Sequence, residues 1–502
     1  MIDLDKILRE KITAYEPKFE AKSFGKLVSV GDGVISIAGL SEAMMAEIIT
    51  LPRQTKGLVL NLGRNLVGAI VLGDSRHLKE GDEAITTGQV LSVPAGEALL
   101  GRVIDPLGLP LDGRAQPKTT VKMPLERIAP GVISREKVKQ PVQTGISAID
   151  AMIPIGRGQR ELIIGDRSTG KSAIALTTII NQKKQNLICI YVVIGQKAAF
   201  TAQLITTLNR FGAMDHTIIV AANAAEPPAL QFLAPYAGVA IAEYFAQKGR
   251  DVLVVYDDLT KHAWAYRELS LLLRRPSGRE AYPGDVFYLH SRLLERACKL
   301  NPAAGGGSIT ALPIIETQAG DISAYIPTNV VSITDGQIYL ETDLFNAGVR
   351  PAINAGLSVS RVGGDAQIKA MRQVAGKLRM ELAQYRELAA FAQFASDLDE
   401  DTKKRIDTGR KYVELLKQTQ NNPMPFYKQV VSIYGANNGL LDGTVPENVH
   451  KIEMTYQEFI LRDRKDILDM IETERVISEE IKVKLDASIT DFKEANGNLY
   501  VI

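Results

Sequence analysis

The stretch Gly165-Asp166-Arg167-Ser168-Thr169-Gly170-Lys171-Ser172 decides the fold class of this 502-residue chain. It follows the apolar run Glu-Leu-Ile-Ile and precedes the helical run Ala-Ile-Ala-Leu-Thr-Thr-Ile-Ile. Its glycines let the backbone curl so that several N–H groups point at phosphate, and a helix N-terminus adds positive charge. The sequence therefore predicts a strand, a phosphate-binding loop and a helix of an α/β domain.

Two residues of the loop have distinct predicted roles. Lys171 is expected to reach the β and γ phosphates of a nucleotide, and the Ser172 hydroxyl is expected to bind Mg²⁺. A partner acid should end another buried strand, and the run Asp251–Tyr256 is followed by Asp257 and Asp258. Asp257 is the better candidate because it lies nearer the loop, whereas Asp258 could equally be a solvated turn residue. The expected cofactors are ATP or ADP and Mg²⁺.

Apolar strand-like runs alternate with helical ones across the centre of the chain. The predicted strands are 161–164, 187–194, 217–220, 251–256 and 308–315. This alternation favours a mostly parallel sheet covered by helices. Beyond Gly364 the apolar residues recur at helical spacing, which predicts a helical bundle.

The N-terminal part has a different pattern of apolar and turn-forming residues. Short Val/Ile-rich runs separated by Gly-Asp turns predict a small closed β-barrel between residues 23 and 90. An oligonucleotide-binding module is disfavoured because basic and aromatic residues are not interleaved there. Residues 1–22 predict an amphipathic helix, which either packs on its own domain or docks a partner.

Composition limits the function classes. The chain has 59 basic and 58 acidic residues, so its net charge of +1 provides no global attraction to nucleic acid or anionic lipid. Cys189 and Cys298 lack metal-ligand spacing and are interpreted as buried thiols of a reducing compartment. No apolar run is long enough for a membrane span, and the first residues lack leader-peptide character.

Several long motifs resemble the alpha-subunit family of F-type ATP synthases, and the resemblance extends over essentially the whole chain. These motifs occupy residues 154–160, 271–276, 278–296, 316–321, 324–338, 348–354 and 357–363. The resemblance implies a multidomain α/β architecture, with an N-terminal β-barrel (23–90), a central RecA-like P-loop domain (91–364) and a C-terminal α-helical bundle (365–502). It also implies that the 1–22 helix docks the delta subunit.

The same resemblance implies the partners and the location of the chain. It would alternate with beta subunits in a ring around the gamma shaft, with epsilon and the b stalk in the full complex. Nucleic acid is not an expected partner, and the membrane would be reached only through the ion-translocating sector. The expected location is the cytoplasmic face of the cell membrane.

Three residues acquire roles only through this resemblance. Gln196 stands where the catalytic beta subunit has glutamate, so the bound nucleotide should stay intact, since an amide cannot accept the proton of an attacking water. Arg361 matches an arginine finger that points into the active site of the adjacent beta subunit. Ser332 is expected at the rim of that shared site.

For the adenine end of the chain's own site, the resemblance points to Phe345, Arg350, Pro351, Gln418 and Gln420. The chain departs from the family pattern at Ser168, where glutamine is usual, and at 345–348, where bulkier residues are common. A shorter side chain loses a polar contact worth about 0.5–1.5 kcal/mol, so nucleotide affinity is affected rather than the fold.

Two other function classes fit the same pattern of domains. One is a self-sufficient ATPase, such as a beta-type or secretion ATPase, which Gln196 disfavours. The other is a ring-shaped RNA translocase, which the near-neutral charge and the long helical tail disfavour.

Overall fold

The computed structural model describes residues 23–392 and 399–500, which form two compact units divided between Leu91 and Ser92. The predicted N-terminal helix at 1–22 lies outside the described residues. None of the helices within the described ranges combines the length and the apolar character that a membrane crossing requires.

The first unit is the predicted β-barrel. Its strands are β1 (Phe24–Gly31), β2 (Val34–Ala38), β3 (Glu47–Thr50), β4 (Lys56–Leu62), β5 (Leu66–Leu72) and β6 (Glu83–Val90). They close antiparallel in the order β1-β2-β5-β4-β3-β6. Ile35, Ile37, Ile49 and Val59 are buried in its core. The short β-branched runs of the sequence are thus the inner faces of a closed sheet.

The second unit is built on an eight-stranded sheet. The strands from Ser92 onward are β7 (Ser92–Ala95), β8 (Val103–Ile104), β9 (Val121–Pro124), β10 (Pro141–Val142), β11 (Ile155–Gly156), β12 (Leu162–Asp166), β13 (Leu187–Ile194), β14 (Thr217–Ala222), β15 (Asp251–Asp257), β16 (Ser308–Thr317), β17 (Gly336–Leu340) and β18 (Val359–Ser360). The order in the sheet is β18-β17-β12-β16-β15-β13-β14-β8. All neighbours are parallel except β18, which is antiparallel at one edge.

The predicted central strands are confirmed, and four of them, β12, β14, β15 and β16, extend past the predicted ranges at the carboxyl end. β12, β15 and β16 continue through the polar residues Asp166, Asp257 and Thr317. Their backbones still pair in the ladder there, while their side chains reach into the site at the strand ends. The apolar pattern therefore stops just where the functional residues begin.

Helices cover the sheet and then form the tail. Around the sheet lie α1 (Ser147–Met152), α2 (Lys171–Asn181), α3 (Ala198–Arg210), α4 (Pro228–Ala246), α5 (Leu259–Leu272), α6 (Val286–Leu294), α7 (Tyr325–Ile333) and α8 (Thr342–Asn346). The tail comprises α9 (Lys369–Ala392), α10 (Glu400–Leu415), α11 (Phe426–Asn437), α12 (Val449–Asp463), α13 (Lys465–Glu474) and α14 (Glu479–Ala495). The predicted helical C-terminal domain is confirmed, and its core is continuous with one side of the sheet.

Candidate nucleotide-binding site

The phosphate loop connects the central strand β12 to the helix α2. Gly170 has φ +100° and α2 begins at the next residue, Lys171. A Cβ at Gly165 would lie 2.6 Å from the Leu340 carbonyl oxygen of the neighbouring strand β17, so only glycine fits there. The loop tip, Arg167 and Ser168, is exposed to solvent. The backbone is thus shaped as the sequence predicts for a phosphate cradle.

Lys171 lies inside this loop rather than in solvent. Only 7% of the residue is exposed, and its Nζ donates to the carbonyl oxygens of Gly165 (2.8 Å) and Asp166 (2.5 Å). Burial lowers the pKa of Lys171 below its usual value, although the charge of Glu316 opposes this shift. Among the described residues this buried ammonium donates only to carbonyl oxygens, so it is poised for a phosphate anion.

The predicted magnesium ligands lie next to each other. Ser172 Oγ donates to Asp257 Oδ2 over 2.7 Å, which places the start of α2 against the end of β15. The same carboxylate accepts from the buried Tyr191 hydroxyl (2.6 Å) and from Gln196 Nε2 (2.7 Å). A hydroxyl and a carboxylate are the hard oxygen ligands that suit Mg²⁺ beside a phosphate chain. Within the described residues no group of three His, Cys, Asp or Glu could hold a metal, so this oxygen pair would depend on phosphate and water for its remaining ligands.

Asp258 is not the solvated turn residue that the sequence allowed. It is 1% exposed, and its carboxylate caps α5 by accepting from the backbone N (2.8 Å) and Nζ (2.9 Å) of Lys261. Burial raises the pKa of Asp258 to about 6, with Lys261 opposing and Asp257 adding to the shift. The Asp258 carboxylate thus fixes the start of α5 beside Asp257.

Asp166 anchors the other side of the loop. Its carboxylate accepts from Thr317 Oγ1 (2.6 Å), Gly320 N (2.8 Å) and Thr342 Oγ1 (3.0 Å). Burial raises the pKa of Asp166, but these hydrogen bonds outweigh burial and leave the pKa below its usual value. Asp166 is therefore a loop anchor between β16 and α8, and Thr169 adds a turn by donating to its carbonyl (2.8 Å).

The residues predicted for the adenine end line one pocket with the loop. Phe345, Arg350, Pro351, Gln418 and Gln420 face Thr169, Gly170 and Thr177 across it. The Arg350 guanidinium carbon lies 4.6 Å from the centre of the Phe345 ring, which orders one wall. The pocket has an apolar floor beside the phosphate cradle, as an adenine ring requires.

The side-chain amide of Gln418 is hydrogen-bonded to the backbone around the pocket, so it stabilises the pocket wall. Its Nε2 donates to the carbonyls of Gly145 and Asn422 (2.7 Å each), and its Oε1 accepts from Ser147 N (3.2 Å). Gln420 is exposed. Among these two amides, Gln420 has the greater freedom to contact a base.

Arg361 and Ser332 do not join this site. Both are exposed, and Arg361 follows β18, which pairs with the first residue of β17 at Gly336. The phosphate loop lies at the opposite end, since Gly165 is in register with Leu340. Four residues of strand separate the two positions by about 13 Å. Arg361 therefore lies at the end of the sheet opposite the chain's own phosphate loop.

Comparisons with known proteins agree with this geometry. Residues 145–360 match the ATP synthase alpha/beta family nucleotide-binding domain, 367–492 its C-terminal domain and 21–88 its β-barrel domain. The chain is 58% identical over 493 residues to the ATP synthase subunit alpha of Syntrophomonas wolfei, with 98% of each chain covered. The chain belongs to the ATP synthase alpha-subunit family. Identities to the alpha subunits of Dehalococcoides mccartyi and Thioalkalivibrio sulfidiphilus are 57% and 54%, again over 98% of each chain.

Two residues next to the phosphate loop and Asp257 were not predicted from the sequence as site residues. Glu316 is in register with Gly165, and within the described residues its carboxylate has no hydrogen bond. Tyr191 lies in the middle of β13, where its hydroxyl was not distinguishable from an ordinary core side chain. The position of Glu316 at the end of an apolar strand is the signal that could have identified it.

Proposed function

We propose that the chain is the non-catalytic, regulatory nucleotide-binding subunit of a rotary ATP synthase, holding Mg-ATP or Mg-ADP in the site around Lys171. The observation that supports this is Gln196, whose amide donates to Asp257 (2.7 Å) and Asp258 (3.4 Å) beside the magnesium pair. An amide committed to these acids does not deprotonate water. When bound, Mg²⁺ would neutralise phosphate charge between Ser172 and Asp257.

The second part of the proposal concerns Arg361. Its exposed guanidinium lies at the far end of the sheet from the chain's own loop, so it is available to the active site of an adjacent beta subunit. There it would neutralise charge on the transferring phosphoryl group, an effect worth about 10³ to 10⁵ in rate. Ser332, exposed at the end of α7, would line the rim of the same site.

Family membership supports the wider assembly. We propose a ring alternating with beta subunits around gamma, with delta bound at residues 1–22, epsilon and the b stalk completing the complex. The ring would sit at the cytoplasmic face of the membrane and be coupled to ion flow through the membrane sector. The domain boundaries 23–90, 91–364 and 365–502 belong to the same proposal.

The experiment assembles the chain with beta and gamma partners and measures multisite ATP turnover. Arg361→Ala is expected to keep nucleotide on its own site and to lower turnover by about 10³ or more. Arg210→Ala, which removes an exposed arginine of α3, is the control. Unchanged turnover in the Arg361 variant would exclude the finger role.

Glu316 supports a second candidate, slow hydrolysis in the chain's own site. Its carboxylate lies in the charge environment of Lys171 and lacks a hydrogen bond among the described residues, so it could act as a base. Single-turnover cleavage of Mg-ATP by the isolated wild-type chain, abolished by Glu316→Gln, would establish this candidate. An intact nucleotide in both chains is the result expected for the non-catalytic subunit.

A further inference from the structure

A buried carboxyl group lies at the end of the phosphate-loop strand that is farthest from the nucleotide. Glu161 immediately precedes β12 and is 0% exposed. Its Oε2 accepts from Gln159 Nε2 over 2.7 Å, whereas its Oε1 has no hydrogen-bond partner in the described part of the chain. Glu161 forms no ion pair within the described ranges, and burying an acid in this way is costly, yet the nucleotide site gives no reason for it.

The Glu161 carboxyl packs against a backbone position without a side chain. A Cβ at Gly336 would lie 2.6 Å from Oε2 and 3.0 Å from Oε1 of Glu161. The same Cβ would lie 2.2 Å from the Val359 carbonyl oxygen. Gly336 therefore allows the acid of β12 to approach the edge strand β18, whose last residue is paired with Gly336.

A hydrogen-bond relay continues from the acid to the residue next to Arg361. Gln159 Nε2, which donates to Glu161, also donates to Ser360 Oγ over 3.2 Å. Ser360 Oγ donates to the Pro154 carbonyl (2.7 Å) and accepts from Gly363 N (3.2 Å). The backbone on both sides of Arg361 is thus attached to one hydroxyl.

The Arg361 backbone itself is held by a second contact. Its N–H donates to the Asp335 carbonyl oxygen over 2.8 Å. The Asp335 carboxylate is in turn gripped by Arg160 through Nε (3.0 Å) and Nη2 (2.8 Å). The exposed Arg361 side chain projects from this hydrogen-bonded segment. The direction of its guanidinium therefore depends on the contacts that hold the backbone.

We propose that Glu161 is a positioning residue for Arg361, acting through Gln159 and Ser360 to fix the backbone from which the guanidinium projects. This inference rests on the proposed role of Arg361 in the adjacent subunit. Burial, with the nearby charge of Asp335 adding to it, raises the pKa of Glu161 well above its usual value. The Gln159 hydrogen bond and the charge of Arg361 act on this pKa in the opposite direction, so Arg361 lies within electrostatic range of the buried acid.

The test uses the complex assembled with beta and gamma partners and four variants, Glu161→Ala, Glu161→Gln, Ser360→Ala and Arg361→Ala. Glu161→Ala is expected to lower kcat between about tenfold and 100-fold, since small misplacements of a catalytic group cost this much. KM and nucleotide binding at the chain's own site should be unchanged. Glu161→Gln keeps an uncharged acceptor and should restore most of kcat.

Non-additivity separates positioning from general destabilisation. Glu161→Ala should cause no further loss of kcat when Arg361 is already alanine. If Glu161→Ala fails to assemble, Ser360→Ala tests the same hydrogen-bond relay. The control is Gln182→Ala, which removes a buried amide side chain from the residue that follows α2.

The turnover of these variants distinguishes a failure of the positioning role from a failure of the finger role. Wild-type kcat in Glu161→Ala and Ser360→Ala, while Arg361→Ala is slow, would overturn the positioning role and leave the finger intact. An equal loss of kcat with and without Arg361 would overturn it as well. Wild-type turnover in Arg361→Ala would instead refute the finger proposal on which the inference rests.

Discussion

The Ser172 hydroxyl lies 2.7 Å from Asp257 Oδ2, so the helix that follows the phosphate loop and the strand that ends in the acid meet at one pair of oxygens. This contact joins α2 to β15 and brings together the two oxygens that we propose as Mg²⁺ ligands.

Ser172→Ala should weaken nucleotide binding only when magnesium is present. It removes one oxygen ligand, and a lost contact to a charged partner costs about 1.5–3 kcal/mol, or between roughly tenfold and 100-fold in Kd. Calorimetric titration of ATP with Mg²⁺ and with chelator measures the difference. Thr178→Val is the control because that hydroxyl bonds only within α2, to the Ile174 carbonyl. An equal loss of affinity under both conditions would contradict the ligand assignment.

Lys171→Met should separate nucleotide affinity from the stability of the free chain. The buried ammonium is compensated by two carbonyl groups, so replacing it with an apolar side chain of similar length removes a desolvation penalty. The melting temperature without nucleotide is expected to be unchanged or higher, while the increase on adding Mg-ATP is lost. A large fall in melting temperature without nucleotide would show that Lys171 is mainly a structural residue.

Gly165→Ala should destabilise the unit by distorting the sheet. The added Cβ would lie 2.6 Å from the carbonyl oxygen and 2.9 Å from the Cβ of Leu340, and strand backbone cannot yield as a side-chain end can. Overpacking of this kind costs about 1–3 kcal/mol. Gly131→Ala is the matched control because, apart from the two adjoining residues, no described part of the chain lies within 4 Å of its added Cβ. Equal melting temperatures of the two variants would contradict the steric argument.

Features of this molecule that depend only on residues close together in the sequence could be predicted, whereas features that depend on residues distant in the sequence could not. β13 was predicted to the residue because it is buried on both faces and reads as one apolar run from Leu187 to Ile194. The phosphate loop was predictable for a similar reason, since its geometry is set within one short segment by Gly165 and Gly170. The burial of Asp258 was not, because its partner Lys261 becomes available only once α5 begins at Leu259.

The network around Glu161 lay beyond sequence reasoning for a different reason. Gln159 and Glu161 precede β12, whereas Gly336 and Ser360 lie in β17 and β18, and the strand order brings them together with Gly336 opposite Ser360. Neither the spacing of Gln159 and Glu161 nor the position of Gly336 indicates this contact locally. Tertiary register decides it, as it does for Glu316 beside Gly165.

Glu161→Gln should stabilise the chain at alkaline pH. The pKa of Glu161 is raised on folding, chiefly by burial, so its stabilising contribution is complete below the unfolded pKa and is lost as pH rises through the folded pKa. An amide does not ionise, so the melting temperature of the variant should exceed that of the wild type increasingly as pH is raised from about 6 to 9. Glu243→Gln is the contrasting variant, because it breaks a buried ion pair with Arg296 (2.7 and 2.9 Å) and should lose about 3–5 kcal/mol. A pH-independent difference between Glu161→Gln and the wild type would show that Glu161 is ionised to the same extent in the folded and unfolded chains, so that its pKa is not raised by folding.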